Sequence, residues 1–88
     1  MEPADVFKAL GDGTRLKIVL FLKGRERCAC EIPKAVGRAQ PTVSQHLRIL
    51  RDVGVLKSRR DGKRIMYRVC CPEVLKAIGL LSGAKSKR

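Results

Sequence analysis

Apolar residues recur at helical spacing in five separate segments of the chain. Within each segment they fall three or four positions apart, which places them on one face of an α-helix. The second segment is apolar almost all round, and we expect it to be the central buried helix. The predicted helices cover residues 3–10, 12–23, 31–36, 41–53 and 72–81.

The fourth helix has the clearest ends and the clearest faces. Pro41 suits a first helical position, and Gly54 suits a left-handed cap just past the helix end. The i, i+4, i+7 spacing of a buried stripe is kept by Val43, Leu47 and Leu50. The opposite face is short, polar and carries little charge, which suits hydrogen bonding to base edges in a DNA major groove. This face consists of Thr42, Gln45, Arg48, Ile49 and Asp52.

After Gly54 the pattern changes from helical to alternating, which predicts a β-hairpin. Its strands are expected at residues 55–60 and 63–70. Asp61 and Gly62 between them predict a two-residue type I′ turn, because that turn needs positive φ at both positions. A further short strand is one interpretation of residues 25–30. The order of elements predicts a mainly α fold of winged helix-turn-helix type, with about five helices and the hairpin as its wing.

The charge of the chain narrows the class of partner. There are 20 Lys and Arg against 8 Asp and Glu, a net charge of +12. Such an excess on a small domain indicates a polyanion, with DNA or RNA first and an anionic membrane surface second. Aromatic residues make up 3% of the chain, which disfavours RNA binding by base stacking. Since no basic amphipathic helix of the membrane-surface type is evident, we expect double-stranded DNA as partner and no membrane.

The length of 88 residues predicts one domain, small enough that dimerisation would help its stability. We place the domain at residues 1–82 and a basic, disordered tail at residues 83–88. The first residues lack the charged start and apolar run of a secretory signal, and no apolar stretch is long enough to span a bilayer. A cytoplasmic location is therefore expected. In that compartment cysteines are more often thiols or metal ligands than disulfides.

Two groups of side chains are candidates for DNA contact. The side chains on the fourth helix can form hydrogen bonds to base edges and phosphates. The cations around the hairpin tip repel one another in the free protein, and a phosphate backbone beside them would relieve this repulsion. The alternatives are a solvated helix face and a hairpin edge guarded by charge. His46 points toward the core edge of its helix, so we assign it a supporting role. The candidates are Gln40, Thr42, Ser44, Gln45 and Arg48 on the helix, and Arg59, Arg60, Lys63 and Arg64 on the hairpin.

Three stretches of the chain resemble the ArsR/SmtB family of metal(loid)-responsive repressors. Residues 8–18 are similar to the family's opening signature, with Gly13 where a Pro is usual. Residues 40–55 are similar to its recognition helix, and residues 62–69 to its wing. The resemblance implies a homodimer paired through the first and last helices, and release of DNA when an inducer binds. The two-fold symmetry of such a dimer predicts a palindromic operator.

Cys28 and Cys30 stand where arsenic- and metal-sensing members of that family place a C-x-C pair. The third thiol of the arsenic pattern would fall on Pro33, so that pattern is incomplete. No cysteine precedes Cys28 to complete the site from an N-terminal arm. The family's other common zinc site uses a set of Asp and His residues on the last helix. This chain lacks that set and has only Glu73 there as an ionisable acceptor.

Cys70 and Cys71 offer another way to complete the site. If the short strand at Cys28 and Cys30 lies beside the return strand of the hairpin, the four thiols would approach one another within one subunit. Three or four thiolates suit a thiophilic effector, namely As(III), Sb(III), Cd(II) or Zn(II). The alternatives are a structural zinc site on the same four residues, a redox switch between paired thiols, and small structural cysteines.

The sequence does not favour an enzyme. Its acidic residues form no paired acid/base constellation, and no phosphate-binding glycine loop is present. We expect a sequence-specific repressor of the ArsR type, released from DNA by a metal, a metalloid or thiol oxidation. The alternatives are a winged-helix protein without a metal response, a protein that coats nucleic acid without sequence preference, and a metal- or redox-handling protein whose DNA binding is incidental.

Overall fold

A computed structural model describes the backbone of residues 1–86 and the side chains of residues 1–82. This part of the chain forms five α-helices: α1 (Pro3–Leu10), α2 (Gly13–Phe21), α3 (Ile32–Val36), α4 (Gln40–Asp52) and α5 (Pro72–Ser86). It also forms three strands: β1 (Arg27–Cys28), β2 (Leu56–Asp61) and β3 (Arg64–Val69). A 3₁₀ turn at Ala29–Glu31 joins β1 to α3. The winged helix-turn-helix predicted from the sequence pattern is confirmed, including the short strand before α3.

Local capping groups set the ends of the two central helices. The Asp12 carboxylate accepts the backbone N–H of Arg15 at 2.9 Å and so begins α2. At the end of α4, Gly54 adopts a φ of +86°. Its N–H donates to the Arg51 carbonyl at 3.0 Å, and the next N–H donates to the Leu50 carbonyl at 2.9 Å. This is a Schellman motif, and it fixes where α4 stops.

The core is built from aliphatic side chains on α2, α3, α4 and the start of β2. Ile18 and Val19 are fully buried, which confirms the central place of α2. Leu20 is nevertheless 44% exposed, so α2 is not buried all round as its composition predicted. The stripe predicted for α4 is buried.

The sheet is antiparallel with β3 in the middle, in the order β1-β3-β2. Asp61 pairs with Arg64, so the two turn residues are Gly62 and Lys63 rather than Asp61 and Gly62. Gly62 has a φ of +63°, whereas Lys63 does not adopt positive φ. The type I′ prediction is therefore wrong, since positive φ at the first turn position alone is the type II′ pattern.

The last helix is longer than predicted. It continues to Ser86, so residues 83–86 of the expected disordered tail are helical, while residues 87 and 88 lie outside the described residues. A glycine inside a helix costs only about 1 kcal/mol relative to alanine, and alanine and lysine are good helix formers. The division of the chain at residue 82 stays a prediction. No helix in the described part of the chain has the length and apolar character needed to cross a membrane.

Candidate nucleic-acid interface

The polar face of α4 is open to solvent. All five candidate residues on this helix are exposed, whereas Val43, Leu47 and Leu50 on the opposite side are buried. The helix is therefore held by its apolar stripe and presents amides, hydroxyls and one guanidinium outward. These are the groups that pair with base edges and phosphates in a major groove. The exposed candidates are Gln40, Thr42, Ser44, Gln45 and Arg48.

His46 supports α4 through a contact that the sequence did not reveal. Arg15 Nη1 donates to His46 Nδ1 at 3.1 Å, and Arg15 Nε donates to the Ala9 carbonyl at 2.7 Å. The Arg15 guanidinium thus ties α4 to the end of α1. Asp12 Oδ2 lies 3.9 Å from His46 Nδ1. The pKa of the Asp12 carboxyl is lowered, mainly because this group accepts a hydrogen bond from the backbone N–H of Arg15. His46 therefore has the expected supporting role, and it holds α4 in place through its hydrogen bond with Arg15.

The four predicted cations of the wing are exposed but not equivalent. Arg59 donates two hydrogen bonds to Glu26, at 2.8 and 2.6 Å. This bidentate pair lowers the pKa of the Glu26 carboxyl. Among the side chains that the structure describes, Arg60, Lys63 and Arg64 form no ion pair. Arg59 is thus already neutralised by a carboxylate, while three cations at the tip are available to phosphates.

Glu26 is a functional candidate that the sequence analysis missed. It lies 33 residues from Arg59, so no local spacing predicts the pair. It links the loop before β1 to the wing, in addition to the pairing of β1 with β3. The wing is therefore held at two points by the segment that contains Cys28 and Cys30.

Cys28 begins the 3₁₀ turn and is only 4% exposed. Its Sγ accepts the backbone N–H of Cys30 at 3.3 Å, and the Glu31 carboxylate accepts the backbone N–H of Cys28 at 3.0 Å. This is a capping box in which cysteine replaces the usual serine, a spacing that the sequence displays as C-x-x-E. The hydrogen bond from Cys28 is the main cause that lowers the pKa of the Glu31 carboxyl. Cys30 is exposed.

The structure does not bring the four cysteines together in one subunit. Cys28 lies opposite Met66, and Cys70 comes four residues after Met66 along the same strand direction. At about 3.4 Å per residue, this register separates the two positions by roughly 14 Å along the strand. The expected convergence was wrong because antiparallel pairing directs the chain after Cys28 away from Cys70. Instead a disulfide bond joins the sulfurs within each set, Cys28 to Cys30 and Cys70 to Cys71.

The described side chains contain no group of three or more His, Cys, Asp and Glu that could hold a metal ion. The donor set expected for one four-thiol site is therefore not assembled within a subunit. Cys70 and Cys71 instead line an open pocket of about 370 Å³ between the segment that follows α2, the end of β3 and the start of α5. Arg25, Glu26 and Arg68 line the same pocket.

Comparison with known proteins places the chain in a family. Residues 12–58 match the family described as bacterial regulatory protein, arsR family. The cadmium resistance transcriptional regulatory protein CadC homolog of Staphylococcus aureus is 45% identical over 69 residues, which are 76% of this chain and 56% of that protein. The arsenical resistance operon repressor of Escherichia coli K12 is 44% identical over 68 residues, 76% of this chain and 58% of that protein. The chain thus spans a little over half the length of these two relatives.

A solved structure agrees with the sequence relatives. The homodimeric winged helix-turn-helix DNA-binding domain Mb0332 from Mycobacterium bovis, a possible ArsR-family transcriptional regulator, superposes with a TM-score of 0.87 at 33% identity. The match covers 97% of this chain and 79% of that one. The first two relatives are named as a regulatory protein and a repressor, and the third as a possible transcriptional regulator. The chain belongs to the ArsR family of bacterial regulatory proteins.

Proposed function

We propose that the chain acts in the cytoplasm as a homodimeric transcriptional repressor that reads a palindromic operator in double-stranded DNA. Each subunit places α4 in the major groove and the wing on the flanking backbone. The observation that carries this proposal is the α4 helix, whose apolar stripe is buried while its five polar candidates are exposed. The cations at the wing tip supply the sequence-independent part of the affinity.

The homodimer is supported by apolar surface on α1 and α5. Phe7 is 65% exposed and Leu81 is 68% exposed, and both line a cavity of about 240 Å³ between the two helices. An apolar surface of this kind is typical of an interface. The M. bovis domain is described as homodimeric. Two copies related by a two-fold axis would present two α4 helices to half-sites about one helical turn apart, or a multiple of it.

Cys28 and Cys30, once a cellular thiol has reduced their disulfide, are the proposed site of a thiophilic effector, As(III), Sb(III), Cd(II) or Zn(II). The relatives described as cadmium and arsenical resistance regulators support this class of effector. The bound ion would supply strong bonds to thiolate sulfur. Because Cys28 Sγ now accepts the N–H of Cys30, engaging this sulfur disturbs the turn that leads into α3. Since Cys28 is also paired with Met66 of β3, we expect a change at this turn to reach the wing as well as α3. A peroxide that oxidises the two thiols, and is itself reduced to water, would act at the same turn.

DNA binding tests the first part of the proposal. Arg48→Ala on α4 is expected to weaken binding to the operator, with Lys23→Ala after α2 as a control of equal charge. An affinity that stays unchanged in Arg48→Ala, or equal binding to operator and scrambled DNA, contradicts sequence reading by α4. The second result is the one that a nucleic-acid-coating protein would give.

A cysteine series tests the effector site. Cys28→Ser with Cys30→Ser is expected to abolish effector-induced release from DNA while leaving binding without effector intact. The matched control replaces Cys70 and Cys71 by serine. If the Cys28 and Cys30 variant still releases DNA on addition of arsenite or Cd(II), the site is misassigned.

A further inference from the structure

We propose that the open pocket lined by Cys70 and Cys71 binds an organic monoanion, a carboxylate carried on an apolar body. The pocket measures about 370 Å³, within the range of roughly 300–1,000 Å³ that is usual for small-molecule sites. Neither the candidate DNA contacts of α4 and the wing nor Cys28 and Cys30 line it. It is therefore separate from the sites proposed above.

Most of the buried and half-buried side chains that line the pocket are apolar. Leu22 is buried, and Val69 and Leu75 are half-buried. Cys70 and Cys71 are joined as a disulfide, which carries no charge. This lining favours the hydrocarbon part of a ligand, because removing apolar surface from water is favourable.

Two arginines add positive charge to the same lining. Arg25 and Arg68 are exposed, and neither guanidinium takes part in an ion pair within the described part of the chain. A guanidinium presents parallel N–H groups that match the two oxygens of a carboxylate. Because apolar side chains and available guanidinium groups meet at one pocket, an anion with an apolar body complements both.

Glu26 is the carboxylate in the lining, and it limits the charge of the ligand. Arg59 already binds it with hydrogen bonds at 2.8 and 2.6 Å. These hydrogen bonds are the main cause that lowers the pKa of the Glu26 carboxyl, and the charge of Arg68 acts in the same direction. The ionised Glu26 repels a second negative charge on a ligand. It therefore favours a carboxylate over a phosphate ester, which carries close to two negative charges at neutral pH.

The pocket joins two segments that position the wing. Glu26 belongs to the loop before β1, whereas Cys70 follows β3 and its backbone N–H donates to the Val55 carbonyl at 2.8 Å. A carboxylate held by both Arg25 and Arg68 links these two segments. A consequence for DNA binding rests on the proposed function, whereas the ligand site itself does not.

The test uses the full chain with both disulfides intact and 2-naphthoate as the probe. The matched neutral ligand is 2-naphthamide, which has the same rings without the charge. NMR of the ¹⁵N-labelled chain follows the backbone amide signals of Val69, Cys70 and Leu75 in each titration. We expect 2-naphthoate to shift these signals to saturation and to bind about tenfold more tightly than 2-naphthamide, because its hydrogen bonds with the arginines are charge-assisted.

Substitution of the two arginines separates this site from general attraction to a basic protein. Arg25→Gln and Arg68→Gln are each expected to weaken the binding of 2-naphthoate about tenfold and to leave that of 2-naphthamide unchanged. The control is Arg38→Gln, which removes the same charge from the exposed turn between α3 and α4 and should change neither affinity.

The absence of a saturable shift overturns the proposal, and so does equal affinity for the two ligands. An equal loss in Arg38→Gln, or shifts confined to the cavity between α1 and α5, also overturns it. DNA binding by the ligand-free chain is measured in parallel. Its absence contradicts the proposed function and leaves the ligand site standing, whereas a missing naphthoate site leaves DNA reading by α4 standing.

Discussion

The pairing of Arg59 with Glu26 predicts that the wing cations contribute unequally to DNA binding. Each phosphate contact adds about 0.9 to the slope of log affinity against log salt, so one contact per subunit adds about 1.8 in a dimer. Between 0.05 and 0.2 M salt, a slope change of about 1.8 alters the ratio of the two affinities roughly 12-fold. Arg60→Ala is expected to flatten the slope by this amount, because Arg60 has no carboxylate partner among the described side chains.

Arg59→Ala is expected to change the slope by much less, since Glu26 already neutralises this guanidinium. Glu26→Gln is expected to steepen the slope, because it frees Arg59 for a phosphate and raises the net charge. Fluorescence anisotropy with labelled operator DNA at five or six salt concentrations measures all three slopes. Equal flattening by Arg59→Ala and Arg60→Ala, with no change in Glu26→Gln, would refute the reasoning.

Three further substitutions test the fold and the assembly. Gly54→Ala is expected to destabilise the protein by about 1–2 kcal/mol in urea unfolding, because φ is +86° there, whereas Gly13→Ala, which meets nothing within 4 Å, should not destabilise it. Phe7→Glu should raise the dimer dissociation constant at least tenfold in sedimentation equilibrium, and Arg60→Ala on the wing should not. Because the folded pKa of Glu26 is lowered, its stabilising effect is present above its unfolded pKa, near 4.5, and is lost as pH falls through the folded value. Glu26→Gln should therefore lose less stability on acidification than the natural chain, and an identical loss contradicts the pair.

The sequence predicted the features that depend on local chemistry. Asp12 begins α2 and Gly54 follows α4 because a carboxylate cap and a residue free to adopt positive φ act within one turn of chain. The buried stripe of α4 and the alternation of the hairpin come from short-range periodicity. The exposed polar face of α4 follows from the same pattern.

Features that depend on register or on distant partners escaped prediction. The separation of Cys28 from Cys70 follows from which residue of β3 lies opposite β1, and no nearby residue encodes that choice. The Glu26–Arg59 pair and the Met1–Cys70 contact join residues far apart in sequence. Arg15 belongs to a stretch that the sequence analysis used as a family signature, but its bond to His46 needs α2 and α4 to be packed together.

Selection of binding sites from a random library of DNA duplexes tests the central claim most directly. The natural chain is expected to enrich a palindrome whose half-sites lie about one helical turn apart or a multiple of it. Gln45→Ala should enrich the same spacing with relaxed preference at one base pair in each half-site, since one side chain reads one position. No enrichment by the natural chain, or identical preferences in Gln45→Ala and in variants of the other polar α4 residues, would contradict sequence reading by α4.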